Sequence, residues 1–316
     1  MEHVLDTVNR RTQLAGENRM ELLLFRLNTK QLYGINVFKV KEIISSLPLT
    51  LIPMRHPIIR GISHIRGTTI PIIDLNMAIG SSALLNPEKR LIIVSEYNKT
   101  IQGFMVESVV RIVNVSWGEV HPPPPASGKS SYLTAVTQIE GDLVEIIDVE
   151  KILQEIIPIS VEVNKENKDI AVQAIQMMPE ITKVLVCDDS IVARKQIIQS
   201  LKQLNIELVV KNNGREALEY LKEVTKDGSN ITSKLLLVIS DVEMPEMDGY
   251  TLTAMIREDP NLKDLHVVLH TSLSGVFNNA LITKVGANQF IAKFDPNALA
   301  KTVTDRMQAI KNVVAK

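Results

Sequence analysis

Cysteine is nearly absent. Cys187 stands alone in 316 residues, so no internal disulfide can close and no CxxC pair is available for zinc or redox exchange. A chain without disulfides fits a reducing compartment, and a cytoplasmic location is expected. Charge of one sign is also lacking: 35 basic residues face 36 acidic ones, a formal net charge of −1. That leaves no broad basic face for nucleic acid or an anionic membrane. No run of about 18 apolar residues occurs, so no membrane-spanning helix is predicted. The opening stretch MEHVLDTVNRRTQLAGENRM has no apolar core of a signal peptide. What is present is 45% hydrophobic content, ample for packed cores, and a length that suggests two domains rather than one.

The two halves have different rhythms. Leu5, Val8 and Leu14 suggest a short helix over 5–16 within an N-terminal tail, 1–17. From 18 to 160 the signals are short β-branched and apolar runs: ELLLFRL, RLIIVSEY, GFMVESVVRIVNVS and YLTAVTQIEGDLVEIIDV. Turn residues separate many of them, as at Ile139–Asp142 (IEGD). Many short strands with few helices predict barrels or a sandwich. HPPPP at His121–Pro125 cannot sit inside a sheet and reads as a stiff surface loop, with a polyproline ligand as the alternative. Residues 161–181 turn polar and charged and read as a linker with some helix. Over 182–312 the pattern then alternates strand and helix: VLVC, IVARKQIIQSLKQL, IELVV, GREALEYLKEV, LLLVIS, LHVVLH and NQFIAK, with a last helix carrying Leu299, Val303, Met307, Ile310 and Val314. Fully apolar strands between helices mark a parallel sheet buried on both faces, here a doubly wound (βα)5 domain with five strands.

In such a sheet the chemistry gathers at the carboxyl ends of the strands. Those ends carry Asp188–Asp189, Asp241, Thr271 and Lys293. Carboxylates sharing a crevice repel one another unless a cation or proton intervenes, and hard oxygen ligands suit Mg²⁺. A lysine and a hydroxyl supply a point charge and a donor for a tetrahedral anion. A carboxylate can itself attack phosphorus to give an aspartyl phosphate. Each residue alone has a plainer reading: an acid pair before a helix is usually a cap, shared here with Ser190, and a strand-end lysine is usually solvated. Their joint placement points to a phosphoryl acceptor at Asp241.

VLVCDDS, LVISDVEMPEMDG, VVLHTS and FIAK resemble the signature segments of response-regulator receiver domains, over about 182–312. That resemblance implies Asp241 as phosphoacceptor. It implies Asp188, Asp189, Asp241 and the carbonyl of Glu243 as Mg²⁺ ligands. Thr271 and Lys293 would contact the phosphoryl group, and Phe290 would be the aromatic switch. Phe294 stands where the family usually has proline, which puts its usual cis peptide there in doubt. In the first half, YGI at Tyr33–Ile35, Val40–Ile43, and RGTTIPIIDL from Arg66 to Leu75 resemble the CheW family of chemotaxis coupling proteins. HIRG at His64–Gly67 replaces the more common NLRG. The fold implied is a pair of SH3-like β barrels.

A CheW-like module followed by a receiver is similar to the CheV architecture. The resemblance implies an adaptor, not an enzyme, between the cytoplasmic tips of methyl-accepting chemoreceptors and the histidine kinase CheA. It would be phosphorylated by that kinase and recruited to membrane-associated receptor arrays. A phosphate sink for CheA with a constitutive coupling domain is the alternative. Arg66 is the candidate partner-binding residue, and a local ion pair with Asp74 or Glu42 competes with that role. Val37–Ile43 could line a groove for a receptor helix or be ordinary core. A receptor methylesterase would need G-x-S-x-G in an α/β fold, and GISHIRG does not fit it. Trp117 and Cys187 read as packing residues.

Overall fold

The structure is a computed structural model. It describes residues 19–97, 100–123, 132–156, 161–177, 182–271, 285–293 and 295–314. The expected helix over 5–16, Pro124 and Pro125 of the proline run, and Phe294 lie outside the described residues. Two compact units are present, Arg19–Pro158 and Ile159–Lys316.

The first unit holds ten strands: β1 (Arg19–Arg26), β2 (Leu32–Asn36), β3 (Glu42–Ser45), β4 (Ile59–Ile65), β5 (Thr68–Asp74), β6 (Leu91–Tyr97), β7 (Thr100–Val106), β8 (Ser108–Ser116), β9 (Leu133–Ile139) and β10 (Asp142–Ile147). They form two five-stranded sheets, ordered β8-β1-β2-β10-β9 and β3-β6-β7-β5-β4. Pairing is antiparallel except for β10 with β2 and β5 with β7. Two β-rich sheets are what the CheW-like resemblance implies for this half. Met20, Leu22 and Leu24, alternate residues of β1, share a core with Leu32, Val115, Val144 and Ile146, and half-buried Trp117 packs against it. The other sheet closes over Ile70, Ile72, Ile92, Val94 and Met105. Gly103 is required there, since a Cβ would stand 2.6 Å from Ile92 Cγ2 and 2.7 Å from Ile72 Cδ1. Two hairpins turn on left-handed pairs: Arg66 (φ 49°) with Gly67 (φ 84°), and Glu140 (φ 53°) with Gly141 (φ 91°). Positive φ at both central positions is the geometry that matches strand twist in two-residue loops. Two short helices complete the unit. α1 (Leu75–Ala78) is capped by Asp74, and α2 (Val149–Ile156) closes it.

The second unit begins with α3 (Lys165–Met177), within the stretch read as a linker. Then strands and helices alternate: β11 (Lys183–Cys187), α4 (Ile191–Lys202), β12 (Glu207–Lys211), α5 (Gly214–Val224), β13 (Leu237–Asp241), α6 (Gly249–Glu258), β14 (Val267–Thr271), β15 (Gln289–Ala292) and α7 (Pro296–Val314). All four pairings of the sheet are parallel, in the order β12-β11-β13-β14-β15. β13 and β14 are buried at every residue, which is why they read as unbroken apolar runs. One face packs Leu185, Val238 and Leu269 with Leu218, Leu221 and Leu252. The opposite face packs Val184, Ile239 and Val268 with Ile197, Leu201, Leu299 and Val303. Among the described residues no helix is long and apolar enough to cross a membrane.

Candidate functional site

The strand order reverses at β11, and β11 and β13 run side by side to the same edge of the sheet. β11 ends at Cys187, so Asp188 follows directly, while β13 ends on Asp241 itself. Asp188, Asp189 and Asp241 each offer a carboxylate oxygen, and the three atoms lie within 4.8 Å of one another. Asp188 and Asp241 are buried and Asp189 is exposed, so the cluster opens to solvent on one side. Lys293, one residue past β15, places its Nζ 2.7 Å from Asp241 Oδ2 and 3.1 Å from Asp188 Oδ2. Thr271, at the end of β14, is buried, and its carbonyl accepts from the Lys293 amide at 2.9 Å.

Local structure fixes these side chains. The Asp188 Oδ1 accepts from the Ser190 amide at 2.8 Å, and the Ser190 hydroxyl caps α4 by accepting from Ala193 N. The plain capping reading is therefore met by Ser190, which leaves Asp188 Oδ2 facing the crevice. The Asp241 Oδ1 accepts from the Val242 amide at 2.7 Å. After it the loop folds back tightly: Gly249 donates to the Val242 carbonyl at 2.9 Å, and a Cβ on Gly249 would lie 2.1 Å from the Asp241 carbonyl oxygen. Asp248 accepts from Tyr250 N and Thr251 N and so starts α6. Burial is the largest influence on Asp188 and pushes its carboxyl well above the usual range; Lys293 opposes this, and Asp241 and Asp189 add to it. Burial likewise pushes the neighbouring Cys187 thiol up, and its sulfur lies 3.3 Å from Met244 Sδ, as befits a packing residue.

A buried carboxylate pushed toward protonation beside two other carboxylates is the environment that a divalent cation relieves. The donor set is all oxygen, with one exposed member through which a hydrated ion could enter, so the residues fit Mg²⁺ better than a softer metal. Phe290 on β15 is half-buried, with its ring 6.4 Å from that of Tyr250.

Arg66 belongs to the first unit. Its side chain is 78% exposed and pairs with Glu42 at 2.8 Å, while Asp74 takes Arg60 at 3.2 Å. Of the two local partners that compete with a coupling role, Glu42 is the one engaged. The Val37–Ile43 stretch is a short 3-10 turn leading into β3, with Ile43 40% exposed.

Arg194 and Gly214 escaped the sequence reading. Arg194 donates to the Asp188 carbonyl at 2.5 Å, one helical turn beyond Ser190, a spacing that could have flagged it. Glu246, in the loop after Asp241, adopts φ 64° and pairs with Arg215 at 3.5 Å. Gly214 donates to the Met247 carbonyl at 3.1 Å, bracing the loop after Asp241 against α5.

Comparison with known proteins gives two family matches: CheW-like domain over residues 21–156, and Response regulator receiver domain over residues 184–304. Chemotaxis protein CheV3 of Helicobacter pylori is 30% identical over 91% of this chain and 94% of its own length. Chemotaxis protein CheV1 of the same organism is 27% identical over 96% and 98%. Chemotaxis protein CheW of Klebsiella aerogenes is 28% identical over 45% of this chain and 87% of its own.

Proposed function

Because the chain belongs to the CheV family of chemotaxis proteins, we propose that it is a phosphorylation-controlled adaptor. In this reading the first unit couples methyl-accepting chemoreceptors to the histidine kinase CheA, and the second unit accepts a phosphoryl group on Asp241. The protein is then recruited from the cytoplasm to receptor arrays through its partners. The observation that carries the reading is the three-carboxylate cluster with Lys293 at 2.7 Å from the Asp241 carboxylate.

A carboxylate oxygen of Asp241 attacks the phosphorus of a phosphohistidine on the kinase. An O–P bond forms, the P–N bond breaks, and its electron pair returns to the imidazole nitrogen, leaving an acyl phosphate on this chain. Asp188, Asp189, Asp241 and the Glu243 carbonyl would hold Mg²⁺, which supplies positive charge to the phosphoryl oxygens. Lys293 exchanges its pairing with Asp241 for one with the new phosphoryl oxygens, and the Thr271 hydroxyl donates to another. Phe290, against Tyr250, would follow Thr271 and so change the surface that partners meet. On the first unit, Arg66 sits 78% exposed at the β4–β5 hairpin turn, where a partner could reach it.

The test is label transfer from phosphorylated CheA in the presence of Mg²⁺. Wild type should take up label and Asp241→Asn should not; equal labelling of both would remove Asp241 as the acceptor. Kinase activity in reconstituted receptor arrays then separates the adaptor from a phosphate sink. An adaptor changes kinase output when phosphorylated, whereas a sink activates the kinase identically in both forms.

A further inference from the structure

The lysine beside the acceptor is tied, within four residues, to a helix that the receiver chemistry does not itself use. Asn297 lies in the first turn of α7 and follows Lys293 by four positions. Its Oδ1 accepts from the Asn164 amide at 2.8 Å, and its backbone carbonyl accepts from Asn167 Nδ2 at 3.3 Å. Asn164 in turn caps α3, its Oδ1 accepting from the Asn167 amide at 3.0 Å. The segment just before α3 is gripped a second time at the C-cap of α4, where Gln203 Nε2 donates to the Val161 carbonyl at 2.7 Å and Gln203 Oε1 accepts from Val163 N at 3.3 Å. Along α3 the seat is narrow. Asn167, Ala171 and Ala174, one face at helical spacing, are 6%, 0% and 3% exposed. The two alanines and Val163 join the core that contains Leu201, Leu299, Val303 and Met307.

These contacts pin a short run of chain at both ends. At one end Lys293 is held by Asp241, Asp188 and the Thr271 carbonyl. At the other, Asn297 is held by α3, and Asp295 between them caps α7 by accepting from Ala298 N at 2.9 Å. Lys293 and Asn297 are four positions apart, and packed elements shift between discrete arrangements and do not deform smoothly, which is the ground for linking a displacement of Lys293 to the bonds at Asn297.

We propose that Asn297 is a positioning residue for Lys293 and the junction through which phosphorylation of Asp241 loosens α3 from α4 and α7. The inference rests on the phosphoacceptor reading and adds to it which element senses the change. Coupling between two sites is reciprocal: a phosphoryl group that draws Lys293 away from the aspartates weakens the seat of α3, and a loosened α3 alters how readily Lys293 serves the phosphoryl group. α3 is the first helix described in the second unit.

The experiment uses the full chain, acetyl phosphate as a small phosphodonor and Mg²⁺, with intact mass to count phosphoryl groups and amide exchange to follow α3. In wild type, phosphorylation should raise the exchange of the α3 amides by about fivefold, the lower end of typical site-to-site coupling. Asn297→Ala should alter the labelling rate by a similar factor. Asn297→Asp, which keeps the oxygen acceptor, should restore it to near the wild-type rate. A merely structural asparagine would not show that rescue together with a phosphoryl-dependent α3. If wild type gains the mass of a phosphoryl group and α3 exchange stays level or falls, the latch is overturned while the acceptor assignment stands. If Asn297→Ala labels at the wild-type rate, Asn297 is not a positioning residue. If wild type gains no mass, the acceptor reading fails, and this inference falls with it.

Discussion

Gly249 marks how little room the acceptor loop has. Its Cβ position, 2.1 Å from the Asp241 carbonyl oxygen, is far inside any tolerated contact, and the obstruction is backbone, which cannot swing aside. Gly249→Ala should therefore push the loop off Asp241 and destabilise the second unit by on the order of 1–3 kcal/mol, the range for overpacked sites. Urea unfolding read by far-UV dichroism checks the stability, and label uptake from CheA should fall with it. A variant as stable and as readily labelled as wild type would show that the loop tolerates the shift. This position was visible in the sequence only as part of the D-x-x-M-P-x-M-D-G pattern. The reason glycine is needed lies in a carbonyl eight residues earlier, and no local propensity reports that. The acids were more legible. In a parallel sheet buried on both faces, a carboxylate at the end of an apolar run stands out, and Asp188 and Asp241 were picked out on that basis. Arg194 and Gly214 were not: the one-turn spacing of Arg194 from Ser190 only hints at its reach to the Asp188 carbonyl, and nothing local marks the Met247 carbonyl as the acceptor for the Gly214 amide.

Between elements, the amino end of β14 shows how helices set the chemistry of a strand. His266, just before β14, is pushed down to about 4, chiefly by burial and then by Arg306 of α7 and Arg257 of α6. Arg257 is fixed by donating to the carbonyls of Lys263, Leu265 and Gly286 and to Asn288 Oδ1, so the histidine faces a held positive charge. The sign follows directly. The folded pKa lies below the ordinary value of about 6.5, so the unfolded chain binds the proton first and stability falls as pH drops from about 6.5 toward 4. Partial exposure reduces the effect to on the order of 1–2 kcal/mol. Comparing urea midpoints at pH 7 and pH 5 for wild type and His266→Gln isolates it: the loss should shrink in the variant, and an equal loss in both would assign the pH dependence elsewhere. The strands and helices of this unit were legible because their apolar periods are clean. α3 was harder to read, since its buried face is Asn167, Ala171 and Ala174, small and polar residues that leave no apolar stripe. The pairing of β10 with β2 and of β5 with β7 was not legible at all, because alternation within a strand does not name its neighbour.

At the scale of the whole molecule, the two units carry separate cores, and a ligand that binds one should stabilise that one. Mg²⁺ at about a hundred times its dissociation constant should add about 2.7 kcal/mol to the second unit and nothing to the first. Chemical unfolding with and without Mg²⁺ should then show one transition moving and the other fixed. Asp241→Asn, which removes one carboxylate charge from the cluster, should shrink the shift. Two transitions moving together would mean that the units unfold as one. Family membership was legible at this scale because each half carries its own run of motifs.

Trp117 bears on how such measurements can be made. It is the one tryptophan of the chain, and it packs on the first unit's core beside Met20 and Val115. Ultraviolet emission excited at the red edge therefore comes from the first unit alone, while helical dichroism is dominated by the second unit, which holds all five helices of ten or more residues among the described residues. The molecule has two intrinsic optical channels, one for each half. A signal sent from Asp241 that reaches the adaptor surface would show as a change in indole emission, with no dye and no second mutation.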